Sequence, residues 1–143
     1  MTYDFSKIAF QPFPGVAGLK AFIFDVDEER QILDAVFQFP ANENVALHRH
    51  VSQTNMLILD GELIIFNEDG SQREARKAGQ YFVGSRDDVH LEGGGPNGAI
   101  VFYSVRGHGD PNIIEVLGPD EQVLGTLSFS DALLIQASQT GSV

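Results

Sequence analysis

The feature of this chain that most constrains its fold is a series of short β-prone runs, each ended by turn residues. Runs rich in Val, Ile and Phe recur about every ten residues, and Gly, Pro, Asn or Asp bounds each of them. The predicted strands cover residues 20–25, 32–39, 44–51, 55–59, 62–67, 73–77, 80–83, 88–92, 99–106 and 113–117. Because no segment sustains a helical period of apolar residues, the pattern predicts an all-β sandwich or small barrel.

Two glycine-containing segments predict where the chain turns. Asp60-Gly61 lies between two apolar runs, and such a pair predicts a two-residue hairpin because glycine tolerates the positive φ of that turn. Residues 93–98 read Gly-Gly-Gly-Pro-Asn-Gly, a composition that predicts a loop.

The length of 143 residues predicts one domain, since domains cluster near about 100–150 residues. Within it we expect an N-terminal arm or edge strand at residues 1–19, a core barrel at 20–118, and a C-terminal strand or short helix with its tail at 119–143. Residues 130–136 form either a short helix with Ser130 as its N-cap or a last strand. Residues 139–143 are expected to be a frayed tail.

The charge balance restricts the partners of this protein. Nine Lys and Arg residues oppose twenty Asp and Glu residues, for a formal net charge of −11. Such a field repels nucleic acid and anionic lipid, so we expect neither as a partner. The absence of Cys excludes disulfides, thiolate metal sites and a cysteine nucleophile. Without a signal-peptide pattern or an apolar run near the ~20 residues of a membrane helix, the sequence predicts a cytoplasmic protein.

Three histidines have the spacing of metal ligands. His48 and His50 lie two apart on a predicted strand, so their side chains share one face with Cα atoms about 6–7 Å apart. At that separation both rings can reach one cation at about 2.0–2.2 Å. His90 lies on a later predicted strand and completes a set of three if the two strands are neighbours. The alternative for a His-x-His pair is two exposed residues at a loop edge.

The His pair and its surroundings resemble the first motif of the cupin superfamily, the double-stranded β-helix. That motif is usually a Gly, a His-x-His, three or four residues, a Glu, and a Gly further along. Here His48-Arg49-His50 is followed by Thr54 in the position of the Glu and by Gly61 in that of the second Gly. The leading Gly is absent.

The second cupin motif, a Gly followed by Pro-x-Gly and a His, resembles residues 79–90. Gly79 and His90 have the required spacing, while Ser85 and Asp87 replace the Pro and the Gly. The resemblance spans residues 41–92 and implies a cupin-type double-stranded β-helix, a jelly-roll barrel.

The position of the motif Glu shapes the expected ligand set. Neither Thr54 nor Asn55, the residues at the two usual spacings, is acidic. Gln53, Thr54 or Asn55 can at most offer a neutral oxygen as a fourth ligand. We therefore expect His48, His50 and His90 to bind the metal without a carboxylate.

This ligand set resembles that of the three-histidine iron cupins, such as acetylacetone dioxygenase and dihydroxyacetophenone dioxygenase. The resemblance implies a divalent metal, with Fe(II) favoured over Zn, Ni or Mn. It also implies oxygen-dependent cleavage of a carbon–carbon bond in a small dicarbonyl or hydroxyketone, so that the partners are a small-molecule substrate and O₂.

Simple electrostatics supports such a reaction. Three neutral imidazoles leave a divalent ion its full charge, which favours an anionic ligand with two oxygens such as a β-diketone enolate. Three facial ligands also leave room on an octahedral ion for the enolate and for dioxygen. The same three histidines suit Zn²⁺ with an open position, where bound water has a pKa near 7. That alternative predicts a hydrolase, hydratase or isomerase.

Four further residues have a functional and a structural interpretation. Glu92 shares the face of His90 and is our candidate catalytic residue, either as a base or in orienting a ligand; its alternative is a solvated rim carboxylate. Asp88 has the same parity and the same alternative. Arg49 is expected on the outer face of its strand, and His108 in an exposed glycine-rich loop.

A rival hypothesis from another class is a non-catalytic cupin that binds metal or a small ligand as a sensor or regulatory module. Some small cupins of this kind resemble the metal-binding half of anti-sigma factors, and one with this charge would need a protein partner rather than DNA. On residues 44–51 the face opposite the histidines carries Val45, Leu47 and Val51. Burial of that face against the arm or a second subunit would favour a homodimer.

Overall fold

A computed structural model describes residues 4–140 of the chain, and the all-β prediction is confirmed. Ten strands are formed: β1 (Gln11–Pro12), β2 (Lys20–Asp27), β3 (Ile32–Phe39), β4 (His48–His50), β5 (Gln53–Phe66), β6 (Gln72–Lys77), β7 (Tyr81–Phe82), β8 (Val89–Arg106), β9 (Asn112–Leu117) and β10 (Val123–Ser128). Short 3₁₀ helices occupy Phe5–Lys7 and Pro119–Glu121, and α1 spans Phe129–Ser138.

The strands form a sheet that curls around the core, and β8 belongs to both of its walls. In the first wall β1, β2 and β3 follow one another, and β3 pairs with residues 99–106 of β8. β5 lies on the other side of β8 and carries β6 and β7. In the second wall the start of β8 pairs with β4, followed by β9 and β10.

Side-chain alternation divides the apolar residues between two clusters. The larger cluster fills the space between the walls and includes Ala35, Ile58 and Val101, which are fully buried. The smaller cluster lies on the outer face of the first wall, where Ile8 of the arm packs with Phe22, Val36 and Ile100. The arm predicted at residues 1–19 therefore covers apolar surface that the barrel leaves outside; its residues 1–3 lie outside the described part.

The predicted hairpin at Asp60-Gly61 is wrong, because β5 continues through it. The pairing of β5 with β8 shifts register on either side of these residues, which form a bulge instead of a turn. Gly61 does adopt a positive φ of 70°. A Cβ at Gly61 would lie 2.2 Å from the carbonyl oxygen of Gly98, so only glycine fits there.

The predicted loop at residues 93–98 is also wrong, since these residues lie within β8. A Cβ on Gly93 would lie 2.3 Å from the carbonyl oxygen of Glu43, and one on Gly94 would lie 2.4 Å from that of Pro40. The glycines therefore allow another backbone segment to pass close to the strand. Gly98, with a φ of 74°, faces the bulge at Gly61, so both long strands bend at one place.

The strand predicted at residues 44–51 is shorter than expected, since β4 contains only His48–His50. Val45 is buried in the main core, and it lines the same cavity as Ala46. The alternation that placed Val45 on an outer face is therefore wrong, because it requires a regular strand. The homodimer remains a prediction without this support.

The C-terminal segment forms a helix, one of the two predicted alternatives. Its N-cap is Ser128 rather than Ser130: the Ser128 hydroxyl accepts from the Asp131 amide, and the Asp131 carboxylate accepts from the Ser128 amide. Gln139 is not frayed, because its side-chain amide bonds both the N–H and the carbonyl of Ile23. Residues 141–143 of the predicted tail lie outside the described part.

Among residues 4–140, no helix has both the length and the apolar character needed to cross a membrane.

Candidate metal centre

The register between β4 and β8 brings three imidazole rings together. His48 and His50 lie at the two ends of β4, and His48 is directly opposite His90 in β8. All three side chains are buried. Their ring centroids are separated by 4.8 Å for His48 and His50, 4.8 Å for His48 and His90, and 5.0 Å for His50 and His90.

A carboxylate joins the three rings, contrary to the sequence-based expectation. Glu92 Oε1 lies 3.3 Å from His48 Nε2, 3.4 Å from His50 Nε2 and 2.7 Å from His90 Nε2. Glu92 is 1% exposed, so the alternative of a solvated rim carboxylate is wrong. Because β8 is regular between residues 90 and 92, its two-residue period places both side chains on the inner face.

The residues around the usual Glu position have other roles. Thr54 Oγ1 lies 3.1 Å from Nδ1 of His50, on the side of the ring away from the cluster. The Asn55 side chain accepts from Gln53 and donates to the Tyr81 hydroxyl. The acidic residue of the site therefore comes from β8, two residues after His90, and not from the segment that follows the His pair.

Outer hydrogen bonds fix the tautomer of each ring. Nδ1 of His48 lies 2.9 Å from the Ala46 carbonyl, which only accepts, so Nδ1 carries the proton. Nδ1 of His90 lies 2.7 Å from Asp88 Oδ2 and donates in the same way. When these two rings are neutral, their Nε2 atoms carry no proton, and the Nε2 lone pairs point towards the centre of the cluster.

His50 also carries its proton on Nδ1, because the Thr54 hydroxyl that faces this nitrogen donates its own proton to another group. The Thr54 hydroxyl donates to the Ser52 carbonyl at 3.3 Å, which leaves its oxygen to accept from His50 Nδ1. When all three rings are neutral, the centre of the cluster therefore holds three nitrogen lone pairs and one carboxylate oxygen.

Four converging acceptors in a buried space require a cation, and their spacing fits one metal ion. One ligand atom from each of His48, His50, His90 and Glu92 lies within 4.8 Å of all the others. The two Nε2 atoms of the His pair are 3.2 Å apart. Donors about 2.0–2.1 Å from a shared ion, at right to tetrahedral angles, would be about 2.9–3.4 Å apart. The donor set therefore fits a divalent metal.

The ionisation of these groups differs between the two strands. Burial lowers the pKa of His50 to about 4. Burial also opposes the charged form of His90, but the hydrogen bond to Glu92 and the bond to Asp88 raise its pKa. Despite burial, hydrogen bonds from the three rings hold the pKa of Glu92 well below its usual range. The site thus favours the protonated form of His90 more than water does, and a metal ion would compete with that proton for Nε2.

Tyr103 is a site residue that the sequence analysis did not identify. Its hydroxyl donates to Glu92 Oε2, the oxygen that does not face the rings. Burial and the Glu92 charge raise the pKa of Tyr103 well above its usual value, so the hydroxyl keeps its proton. The inward parity of residues 99, 101, 103 and 105 in β8 was the signal that could have located it.

A small apolar cavity of about 60 Å³ lies beside the cluster. The N-terminal segment closes part of it with Phe13, Val16 and Leu19, two of which are buried. The other lining residues are Leu33, Phe37, Phe39, Val45, Ala46, His48, His50, Thr54, Glu92, Tyr103, Val105, Ile113, Ile114, Val116 and Leu127. Polar lining is thus confined to the end of the cavity that carries the donors.

Other predicted candidates lie away from this centre. Arg49 faces outward and forms ion pairs with Glu115 and Glu121, as expected for the outer face. His108 is exposed, also as expected. Asp88 is half-exposed but is not merely solvated, since it binds the outer nitrogen of His90.

The turn before His90 carries Asp87 at the position where the second cupin motif has a glycine. Asp87 stands in the Gly position and adopts a φ of 67°, in the left-handed region that glycine favours and that Asp tolerates better than most residues. Its amide donates to the carbonyl of His50 at 2.8 Å. This bond ties the turn to β4.

Comparison with known proteins agrees with this architecture. Residues 1–109 match the model of a family described as the ChrR cupin-like domain. Comparison with curated proteins gave no match.

Solved structures resemble the chain over nearly its whole length. A candidate acetylacetone dioxygenase from Methylibium petroleiphilum aligns with a TM-score of 0.78 and 18% identity over 96% of this chain and 94% of that one. An acetylacetone dioxygenase from Acinetobacter johnsonii aligns with a TM-score of 0.74 and 17% identity over 98% of this chain and 95% of that one. An RmlC-like cupin from Ralstonia eutropha aligns with a TM-score of 0.76 and 14% identity over 94% of this chain and 82% of that one. At these identities the matches establish the fold, and the predicted cupin jelly roll is confirmed.

Proposed function

This chain belongs to the ChrR cupin-like family, and from that premise we propose that it is a metal-dependent enzyme of small-molecule metabolism. Its proposed reaction is that of a non-haem Fe(II) dioxygenase, which cleaves a carbon–carbon bond in a small dicarbonyl or hydroxyketone with O₂ as second substrate. The observation that carries the proposal is the convergence of four donors, three of which (His48, His50 and Glu92) line a small apolar cavity. Two of the similar structures bear the name acetylacetone dioxygenase, one of them as a candidate.

The proposed ligands are Nε2 of His48, His50 and His90 together with Oε1 of Glu92. An Fe(II) ion held there supplies the affinity for substrate oxygens and the one-electron chemistry with O₂ that protein side chains lack. Because Glu92 is ionised, it lowers the formal charge of the site from two to one. The attraction for an anionic substrate is therefore weaker than three neutral ligands alone would give.

Glu92 is also proposed as the proton acceptor. It is the only carboxylate that lines the cavity among the described residues, so a carbon acid entering the cavity meets this group. The Tyr103 hydroxyl donates to Oε2 of Glu92. Oε1 therefore remains to accept a proton from the carbon atom between the two carbonyl groups of a dicarbonyl. In this proposal Glu92 would be both a residue able to hold the metal and the base for the substrate.

The apolar wall defines the remainder of the substrate. Phe37, Phe39 and Val105 line the cavity and offer no polar group to a ligand. A second charged group on the substrate would lose its hydration there without gaining a partner. We therefore expect a compact substrate whose only polar atoms are the oxygens that approach the donors.

Oxygen uptake tests the proposal. Protein loaded with Fe(II) under anaerobic conditions should consume O₂ when 2,4-pentanedione is added, and His90→Ala should abolish the uptake. His108→Gln, at an exposed histidine away from the cluster, serves as the matched control. An absence of uptake with every member of a dicarbonyl and hydroxyketone panel would refute the dioxygenase, although the metal site would stand.

A non-catalytic binding module is the second candidate, and the number of donors favours it. Four protein ligands satisfy a tetrahedral Zn²⁺ ion, the coordination typical of structural sites, whereas catalytic zinc sites keep an open position. With a net charge of −11 such a module would act through a protein partner. Elemental analysis of freshly isolated protein separates the candidates: stoichiometric zinc without turnover supports the module, and iron with turnover supports the enzyme.

A further inference from the structure

His90 is held from outside the barrel by a carboxylate, unlike the other two rings. Asp88 Oδ2 accepts from Nδ1 of His90 at 2.7 Å. The outer partners of His48 and His50 are a backbone carbonyl and a hydroxyl, both neutral. An anionic acceptor on the outer nitrogen strengthens the inner nitrogen as a donor. The cluster is therefore asymmetric, because only His90 has an anionic partner on its outer nitrogen.

Asp88 is itself fixed by an arginine on the neighbouring hairpin. Arg73 Nη1 lies 3.0 Å from Oδ1 and 2.8 Å from Oδ2 of Asp88, and Nη2 donates to the Val89 carbonyl at 3.0 Å. Both carboxylate oxygens are thus engaged, and only one orientation of the group keeps Oδ2 against His90. Arg73 and Asp88 are about one-third exposed, which leaves them open to substitution without opening the core.

The hairpin between β5 and β6 fixes the arginine in turn. Arg73 Nε donates to Asn67 Oδ1 at 2.8 Å, and Asn67 Nδ2 donates to the Ser71 hydroxyl at 3.0 Å. Asp69 accepts from both the amide and the hydroxyl of Ser71. A continuous chain of hydrogen bonds therefore links the surface turn to the outer nitrogen of His90.

We propose that Arg73 and Asp88 are positioning residues for the metal centre, which set the orientation and donor strength of His90 from outside the barrel. This inference rests on the proposed metal site but not on the dioxygenase reaction. It assigns to the β5–β6 hairpin a role in metal affinity, although residues 67–73 do not line the cavity.

Metal affinity, measured by competition with a chelator for Co²⁺ or Zn²⁺, tests the proposal directly. Asp88→Ala should weaken binding by about 10–100-fold, the range for loss of an outer-shell partner. Asp88→Asn should weaken it less, because the amide oxygen can still accept from Nδ1. The metal affinity of Arg73→Gln should lie between that of Asp88→Asn and that of the wild type, since the Asp88 carboxylate remains but Arg73 no longer aligns it.

A matched control is available in the ion pair between Asp27, the last residue of β2, and Arg30 in the turn that follows. Arg30→Gln and Asp27→Ala remove the same charges and should leave metal affinity unchanged. If Asp88→Ala binds metal no more weakly than Asp27→Ala, the positioning role is wrong. If Asp88→Ala does not fold, Asp88→Asn and Arg73→Gln carry the same comparison.

A spectroscopic measurement separates positioning from a general loss of stability. Co²⁺-loaded wild-type protein should show three exchangeable, paramagnetically shifted imidazole protons, one from each Nδ1–H. Asp88→Ala should accelerate solvent exchange of one of them and leave two unchanged. Equal changes in all three would overturn the proposal. If the wild type binds neither metal, the proposed metal site itself fails, which is a distinct outcome.

Discussion

Strands β4 and β8 each supply two donors to the cluster, but they do so in opposite ways. β4 contains three residues, and two of them are ligand candidates separated by an outward Arg49. β8 contains 18 residues and presents His90, Glu92 and Tyr103 to the inside, over a length that spans both walls. A short strand can place ligands only where neighbours hold it on both sides, as β8 and β9 do. A long strand places them by its own regular alternation.

Removing one ligand from each strand should have the largest effect. His48→Ala in β4 and His90→Ala in β8 should each weaken metal binding by more than about 100-fold, beyond the range for outer-shell partners. Each deletes one of four donors, so equal losses would show that both strands contribute to one ion. The measurement is Zn²⁺ or Co²⁺ competition. Near-wild-type affinity in either variant would remove that strand from the centre.

The same contrast explains what the sequence could and could not predict. The His pair was visible because both residues lie in one tripeptide, and alternation alone places them on one face. Alternation also placed Glu92 on the face of His90, but its burial as a fourth donor depends on β8 remaining a strand beyond residue 92. The composition of residues 93–98 had predicted a loop there, because local composition cannot show that the backbone near Pro40 passes close enough to require glycine.

The bend shared by β5 and β8 offers the next test, on stability. Gly61→Ala places a methyl group 2.2 Å from the Gly98 carbonyl at a φ of 70°. The backbone conformation alone costs about 1–3 kcal/mol for a residue other than glycine, and the contact adds to that. Urea unfolding should show this loss for Gly61→Ala. Gly125→Ala, where a Cβ meets nothing within 4 Å, is the control; an equal loss there would contradict the close approach.

The opposite pKa shifts of His50 and His90 predict that these two residues make stability depend on pH in opposite directions in the metal-free protein. His50 titrates at about 4 when folded and at 6.5 when unfolded. Between these values the unfolded chain binds more protons, so the His50 contribution is full above pH 6.5 and is lost as pH falls towards 4. The shift corresponds to about 3 kcal/mol.

His90 works in the other direction, because its folded pKa is raised. The contribution of His90 to the free energy of unfolding is full below its unfolded pKa of 6.5. It is lost as pH rises through the higher pKa of the folded protein. Urea unfolding of the metal-free protein as a function of pH checks both signs. His50→Gln should flatten the acid-side loss, and His90→Gln should flatten the loss on the alkaline side. His108→Gln should change neither, and a pH profile identical to wild type in all three would refute the assignment.

A smaller effect on stability is expected from Glu92→Gln, which replaces the carboxylate with an amide that can donate hydrogen bonds. Where the rings are neutral, the Gln side chain of Glu92→Gln can donate its two amide N–H groups to Nε2 lone pairs, so the metal-free protein gains hydrogen bonds that the carboxylate cannot make. We expect its stability at alkaline pH to rise by about 1 kcal/mol, while metal affinity falls because a charged ligand is lost. Thermal unfolding with and without Zn²⁺ measures both. A loss of metal-free stability would show that the cluster does not consist of acceptors alone.

The smallest effect should come from the outward residue of β4. Arg49 forms ion pairs with Glu115 at 3.2 Å and Glu121 at 2.5 Å on the partly exposed surface of the second wall. Such pairs contribute about 0–1 kcal/mol, so Arg49→Gln should reduce stability by no more than that and leave Zn²⁺ affinity unchanged. Chelator competition is the decisive measurement, since the strand is held in place by its neighbours through backbone pairing. A fall in affinity as large as that of Asp88→Ala would mean that β4 depends on its outer face as much as β8 depends on Asp88.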